Sequence, residues 1–387
     1  VNAIYLDNNA TTSLDPRVAS VVTDLMNRRL ANPASQHAFG RKSRRFLESA
    51  REEILELAGA RTQGMASDQL LFTSGGTESN NLAIFGLAQQ RPGSIVVSSI
   101  EHPSVLAAAQ FLQQQGRDVL YLPCDSSGVI QLAPLSDRIQ HAPDSIALVS
   151  VMLANNETGV LQPVRQIAQL CRLHSIPVHC DAVQAIGKIP LRFRDLDIDA
   201  MTITAHKLHG PVGIGALLLR HSTKIAPHQF GGFQQLGLRP GTESPVLAAA
   251  FATSVTIANT ALDENNARMA RLRQQLEQTL TTNLPNASIL GLASQRLPHT
   301  TSIAFPGIER QALQLALDHA GIACSTGSAC ASGSSQPSHV LQAMGLPPEL
   351  IRGAVRFSLS RETTDEEISA ACSIITQVVQ RLTPQDS

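Results

Sequence analysis

The feature that most constrains the fold is an alternation, from Leu70 to Arg220, of short apolar runs with segments of helical period. Residues 94–99 (SIVVSS) have the length and β-branched content of a strand, and residues 103–116 (PSVLAAAQFLQQQG) read as a helix that opens on proline and stops at glycine. Residues 145–152, 177–180, 199–204 and 213–220 read as further strands, with a helix over 164–174. Strand–helix–strand repeats of this kind fold into a mostly parallel sheet covered by helices on both faces. Such sheets bind ligands beyond the carboxyl ends of their strands.

The pattern changes after about residue 243. Residues 243–282 read as largely helical, followed by short strands at 302–305 and 355–358 and helices at 310–320 and 365–382, the make-up of a smaller α+β domain. Residues 325–337 (STGSACASGSSQP) are Gly, Ser and Ala without period, as in a flexible loop. A length of 387 residues suits two domains, and 43% apolar residues suffice for a sizeable core. A net charge of −1 gives no global attraction to nucleic acid or acidic membranes. The longest apolar run, 246–252, is far shorter than the about 20 residues of a membrane-spanning helix. The first residues lack the charged-then-apolar pattern of a signal peptide. Cysteines at 124, 171, 180, 324, 330 and 372 form no C-x-x-C pair. A reducing, cytoplasmic setting without a zinc site is therefore expected.

Residues with chemical potential collect at the strand ends. Lys207 closes an apolar strand beside His206, before a Gly/Pro turn (AHKLHGP). A lysine there loses its charge readily, and a neutral amine is what a Schiff base requires. The same residue also suits a surface lysine with its stem on apolar neighbours. Asp181 follows a buried-type strand (IPVHCD) and reads as a helix cap or as the partner of a pyridinium nitrogen. In LLFTSGGTESNN a strand runs through Ser74 and Gly75 into a helix. That is either a capped turn or an anion site made of helix N–H groups, with Gly76 and Thr77. His102 (SSIEHPSV) reads as a satisfied loop histidine or as a proton carrier near neutral pH. Asn155 and Asn156 (ANNETG) are turn formers or ligand contacts. Cys330 is an incidental small residue of its loop or a nucleophile, whereas Cys180 and Cys324 read as core. Arg356, inside a strand (AVRFSLS), reads as a buried ion pair or as a fork for a substrate carboxylate.

The segments YLDNNATT, NPASQHAFGR, TSGGTESNN, EHPSV, NNETG, HCDAVQAIGK, AHKLHGPVGIGAL, LRPGTES, STGSACASG and RFSLSRETT run in order over nearly the whole chain. Together they resemble the cysteine desulfurases of the NifS/IscS type, in the class V aminotransferase group of pyridoxal-phosphate enzymes. The resemblance implies an α/β chain of fold type I. Residues 15–260 would form a large cofactor domain with a mostly parallel sheet, and residues 1–14 and 261–387 a small α+β domain carrying the Cys330 loop. It implies that Lys207 bonds pyridoxal 5'-phosphate, that Asp181 pairs with the ring nitrogen and that Gln184 bonds the ring hydroxyl. His102 would stack on the ring and move protons. Gly76, Thr77, Thr204 and His206 would hold the phosphate, and Thr242 would reach the phosphate of the other subunit in a homodimer. Asn156 would contact the cofactor and, with Arg356, the carboxylate of L-cysteine. Cys330 would take the sulfur as a persulfide, leaving L-alanine, and pass it to an acceptor protein such as an iron–sulfur scaffold. No metal, nucleic acid or membrane partner is implied.

Three departures from the family pattern stand out. Thr204 occupies a position where serine is usual, keeping the hydroxyl, and the loop reads STGSAC where SSGSAC is commoner. The sequence stops at LTPQDS, where housekeeping members carry a longer tail that helps dock the scaffold, which leaves that docking mode open. The nearest alternative is a lyase of the same group acting on selenocysteine or cystine, against which the cysteine-bearing loop argues. The alternative from another class is a non-catalytic scaffold, against which Lys207 argues.

Overall fold

The structure, a computed structural model, describes residues 3–327 and 336–383. The chain begins with strand β1 (Ile4–Tyr5) and helices α1 (Pro16–Asn27) and α2 (Ala38–Leu57). Strict alternation follows in β2 (Gln69–Thr73), α3 (Gly76–Ala88), β3 (Ser94–Ser98), α4 (Pro103–Gln114), β4 (Val119–Leu122), α5 (Ala133–His141), β5 (Ile146–Met152), α6 (Val164–Arg172) and β6 (Val178–Asp181). Strands β7 (Ala200–Thr204) and β8 (Gly215–Leu219) precede two long helices, α7 (Pro245–Thr260) and α8 (Leu262–Asn283). The remainder comprises β9 (Ser288–Leu290), β10 (Thr300–Ala304), α9 (Arg310–His319), β11 (Ile322–Ala323), α10 (His339–Ala343), α11 (Pro348–Arg352), β12 (Ala354–Ser358) and α12 (Asp365–Leu382).

Strands β2 to β8 form one sheet in the order β2-β8-β7-β6-β5-β3-β4. Its neighbours run parallel except where β8 meets β2 and β7. The alternation of side chains explains why these strands are apolar throughout. Leu70, Phe72, Val96, Val149, Val151, Met201, Ile203 and Leu218 enter one core, and Leu71, Ile95, Val97, Leu148, Ala200, Leu217 and Leu219 enter the core on the opposite face. Helices cover both faces, so neither set of positions meets water. Gly215 answers a local demand. A Cβ there would stand 2.7 Å from the Gly75 carbonyl carbon, so only glycine lets β8 lie against the turn that starts α3.

A third core draws on both chain ends, including Ile4, Leu6, Leu276, Leu313, Phe357 and Ile375. It is organised by the antiparallel sheet β12-β10-β9 and by β1, which pairs in parallel with β11. The N-terminal segment is laced in by its backbone: Leu6 N–H donates to Ala323 O at 2.9 Å, and Ser358 N–H donates to Leu6 O at 2.7 Å. Helix α12 packs on α8 and α9 and opens with a capping box between Thr364 and Glu367.

The stretch read as largely helical over 243–282 is so, as two helices that meet at 72° around Ala261. Neither proline nor glycine makes the bend. Helix α7 packs against α1 and α2, beside the sheet, whereas Leu272, Leu276 and Leu280 of α8 enter the core built from the chain ends. The two helices serve different cores, and the chain turns between them. Among the described residues no single helix is long and apolar enough to cross a membrane.

The lacing of the N-terminal segment is testable by truncating a buried side chain. Leu6 is fully buried, so Leu6→Ala should lower the unfolding free energy in urea by about 2–5 kcal/mol. Leu315 lies on α9 with 71% exposure, and Leu315→Ala should change stability by less than about 0.5 kcal/mol. Equal losses in the two variants would show that the N-terminal segment is not part of the core.

Candidate active site

A cavity of about 340 Å³ opens beyond the carboxyl ends of the central strands. Its position follows from the strand order. From β3 the chain passes outward to β4, while β5, β6 and β7 succeed one another in the opposite direction. The segments that leave β3 and β5 therefore diverge and open a crevice. His102 follows β3 and Asn156 follows β5, and both line the cavity. The register places Met152 beside Asp181 and Asp181 beside Thr202, so the strand ends lie level.

Asp181 ends β6 and is only 6% exposed. Its Oδ2 accepts from Asn80 Nδ2 at 2.7 Å, and its Oδ1 accepts from the Val183 N–H at 3.0 Å. The residue thus organises the following turn, as a cap would, while still lining the cavity. Gln184, in that turn, donates from Nε2 to Asn9 O at 3.1 Å, and its buried Oε1 has no partner. Lys207 lies in the short helical turn after β7. Its Nζ donates to Asn9 O and to Ala10 O, each at 2.5 Å, which sets aside the surface-lysine reading. Its neighbour His206 contacts Thr11 Oγ1 through Nδ1 at 3.2 Å, and burial with the adjacent Lys207 charge pushes its pKa down to about 4.

Helix α3 starts at Gly76 behind Gly75, which offers no side chain to cap the first turn. Gly76 and Thr77 bring that helix start to the cavity. Thr204 also lines it, with its hydroxyl donating to Ile214 O at 3.1 Å. His102 caps α4: the Ser104 N–H donates to Nδ1 at 3.2 Å. In the neutral ring Nδ1 is therefore bare and Nε2 carries the proton. Burial lowers the His102 pKa, nearby Asp181 pulls it upward and Lys207 lowers it further.

Arg356 is 2% exposed and forms the buried ion pair that was one of the two readings made for it. Nη2 pairs with Asp7 Oδ1 at 2.6 Å and Nη1 donates to Asn156 O at 2.9 Å, yet the residue lines the cavity and its Nε has no partner. Cys330 lies outside the described residues. Gly327, three positions earlier, lines the cavity. Thr242 is exposed and is not among the lining residues. Cys180 and Cys324 are buried, as read from the sequence.

The sequence reading missed several residues that shape the site. Asn80 lies one helical turn after Gly76, a spacing that places both on the same side of α3 and could have marked it. Asn9 and Ala10 had no such signal, since they meet Lys207 across almost two hundred residues. His339 Nε2 donates to Glu101 O at 2.9 Å and lines the cavity. Its contact is equally non-local.

The aminotransferase class-V family matches residues 4–370. A cysteine desulfurase of Nostoc sp. (strain PCC 7120 / SAG 25.82 / UTEX 2576) is 40% identical over 384 residues, covering 99% of this chain and 94% of that protein. Among solved structures, a NifS-like protein from Rickettsia africae superposes with a TM-score of 0.90 at 32% identity, over 98% of this chain and all of that one. A structure of SspA in complex with cysteine superposes with a TM-score of 0.79 at 31% identity, over 93% of this chain and all of that one. The chain belongs to the aminotransferase class-V family and, within it, to the cysteine desulfurases.

Proposed function

We propose that the cavity holds pyridoxal 5'-phosphate on Lys207, and that the loaded enzyme takes the sulfur of L-cysteine onto Cys330 and releases L-alanine. One observation carries the reading: an amine, a buried carboxylate and an uncapped helix start face a single cavity. Those groups suit a flat cofactor with an anionic tail. The first turn of α3, with Thr77, Thr204 and His206, would hold the phosphate. Asp181 would pair with the ring nitrogen, an interaction worth roughly 4 kcal/mol before desolvation at about 4 Å and an effective dielectric near 20. The unpartnered Gln184 Oε1 on the cavity wall is a buried polar atom that a ring hydroxyl would satisfy. His102 would stack against the ring. The bound cofactor supplies a sink for the electrons that develop at the substrate α-carbon.

The protein's own residues then bind, orient and move protons. Arg356 and Asn156 would grip the substrate carboxylate, with the guanidinium already oriented by Asp7 and by Asn156 O. Lys207 would take the α-proton, and the Asn9 and Ala10 carbonyls would receive the resulting ammonium. The Cys330 thiolate would attack the substrate sulfur. The carbon–sulfur bond would break with its electron pair left on carbon, which takes up a proton. Cys330 would keep the sulfur as a persulfide. His102, with its proton on Nε2, would serve that step. The cysteine seen bound to SspA supports L-cysteine as the substrate.

The same reading extends to the assembly. Thr242, exposed and away from this chain's own cavity, would reach the phosphate of a second subunit in a homodimer. The persulfide would pass to an acceptor protein, an iron–sulfur scaffold or another sulfur relay. Five buried, unpaired cysteines among the described residues suit the reducing cytoplasm.

Two outcomes test the assignment. Borohydride treatment of the loaded protein should fix the cofactor to the peptide that contains Lys207. Lys207→Ala should abolish both that label and alanine release, and a label that persists in the variant would overturn the role of Lys207. The second outcome concerns Glu101, which lies behind His102. It is fully buried, its Oε1 accepts from Ser98 Oγ and from the Met152 N–H, and its Oε2 has no partner. Burial raises its pKa to about 8. A carboxyl raised in the folded state favours folding below its unfolded pKa of about 4.3, and that contribution is lost as pH climbs through about 8. Glu101→Gln keeps the accepting oxygen but cannot ionise. Its melting temperature should match wild type near pH 4.5 and exceed it by a margin that grows up to about pH 8. Parallel melting curves across that range would show that Glu101 does not ionise late.

A further inference from the structure

Beneath the cavity lies a buried polar chain that the proposed chemistry does not use. Lys188 and His299 are both buried, with Lys188 Nζ 3.4 Å from His299 Nε2. The same His299 Nε2 stands 2.9 Å from Asn9 Oδ1. Asn9 in turn meets the site on two sides. Its backbone carbonyl accepts from Lys207 Nζ and from Gln184 Nε2. Its side-chain Nδ2 donates to Asn156 O at 3.1 Å and to Thr300 Oγ1 at 2.9 Å.

The hydrogen-bond chemistry fixes the protonation of this chain. Asn156 O can only accept, so the Asn9 amide nitrogen must face it and Asn9 Oδ1 must face His299. His299 Nε2 therefore carries the proton and donates. The other ring nitrogen, Nδ1, is buried without a partner. A second proton there would leave an unpaired N–H in the core, so His299 is the neutral imidazole. Burial, with the Lys188, Arg273 and Arg356 charges, holds its pKa well below the ordinary value. Because Nε2 is occupied by its own proton, Lys188 cannot donate to it. Burial, with the Lys207 and Arg361 charges, pushes Lys188 down to about 7.

We propose that His299 is a positioning residue for Lys207: by donating to Asn9 Oδ1 it fixes the Asn9 turn, and so the backbone carbonyl against which the Lys207 amine and the Gln184 amide are both aligned. The inference rests on Lys207 as the cofactor-bearing lysine. Its content is that a histidine with no contact to the cavity sets the direction of the amine inside it. Removing the donor leaves Asn9 Oδ1 only the longer contact from Thr300 Oγ1 at 3.3 Å, so the Asn9 side chain is held less tightly and its carbonyl shifts with it.

The test compares His299→Leu, which fills similar space without a donor, with His299→Gln, whose amide can still donate to Asn9. In full-length loaded protein, His299→Leu should lower kcat for alanine release by at least about tenfold while KM for L-cysteine stays within about threefold, since misalignment acts on the proton transfer. Cofactor-stripped His299→Leu should also take up pyridoxal 5'-phosphate into a borohydride-fixable bond at least about tenfold more slowly. His299→Gln should restore both rates to within about threefold of wild type. Wild-type behaviour of His299→Leu, or a glutamine variant as impaired as leucine, would overturn the proposal. If His299→Leu does not fold, Asn9→Ala replaces it. That variant should show the same loss of kcat, and adding His299→Met, which lacks the donor, should change nothing more; additive losses would contradict a route through Asn9. Lys207→Ala separates the two readings. Activity retained there removes the site assignment itself, whereas an inactive Lys207→Ala beside a normal His299→Leu removes only this inference.

Discussion

Two backbone carbonyls hold the Lys207 amine, and much of the molecule is arranged to put them there. Asn9 and Ala10 are offered at the end of a segment that is first tied into the core of the chain ends, through β1, Leu6 and the hydrogen bonds between Asn8, Asn9 and Ser358. Lys207 arrives from the other side, at the end of β7 in the seven-stranded sheet. A cation accepting no bond of its own can be satisfied only by such acceptors once it leaves water. The contact therefore joins the N-terminal segment to the sheet edge, and any shift between them moves the amine.

Burial decides which groups around that contact carry charge. Desolvation pushes Glu101 up to about 8 and raises Glu157 as well, so these acids are held toward their neutral forms. The histidines move the opposite way, with His179 and His206 at about 4 and His299 also held well below the ordinary value. Arg356, paired with Asp7, lines the same cavity as Lys207 and Asp181. A ligand with a carboxylate at one end and a protonated ring nitrogen at the other would find a guanidinium and a carboxylate on that one wall. Glu157 also bears on Gly327, where a Cβ would meet its Oε2 at 2.5 Å, and it accepts from Ser338 Oγ at 2.6 Å. Gly327 thus packs closely against the same buried acid that Ser338 bonds.

The sheet was legible because its physics is local and periodic. The strands are apolar, crossovers carry a helix start such as Pro103 or a stop such as Gly116, and the boundaries fall within a residue or two of those read, although the edge strand β4 and helix α5 were not read. Lys207, Asp181 and His102 were legible as strand-end residues for the same reason. The break at Ala261 was not, because no proline or glycine marks it; the helices part only because they face different cores. Asn9, Asp7 and His299 escaped as well. Their partners lie hundreds of residues away, and no spacing along the chain foretells a contact such as Asn9 with His299 or Asp7 with Arg356. The same holds for Asn80, whose carboxylate partner Asp181 is reached only through the packing of α3 on the sheet. The family resemblance named the residues expected to touch the cofactor but was silent on those that hold them in place.

The central claim is that this cavity strips sulfur from L-cysteine and hands it to Cys330. It is tested most directly by a single turnover without reductant, followed by mass analysis of the peptides and measurement of alanine. The account predicts alanine equal to the number of active sites, with the mass of one sulfur added to the peptide containing Cys330 and to no other cysteine peptide. Alanine released with free sulfide and an unmodified Cys330, or sulfur found on Cys324 in its place, would contradict it.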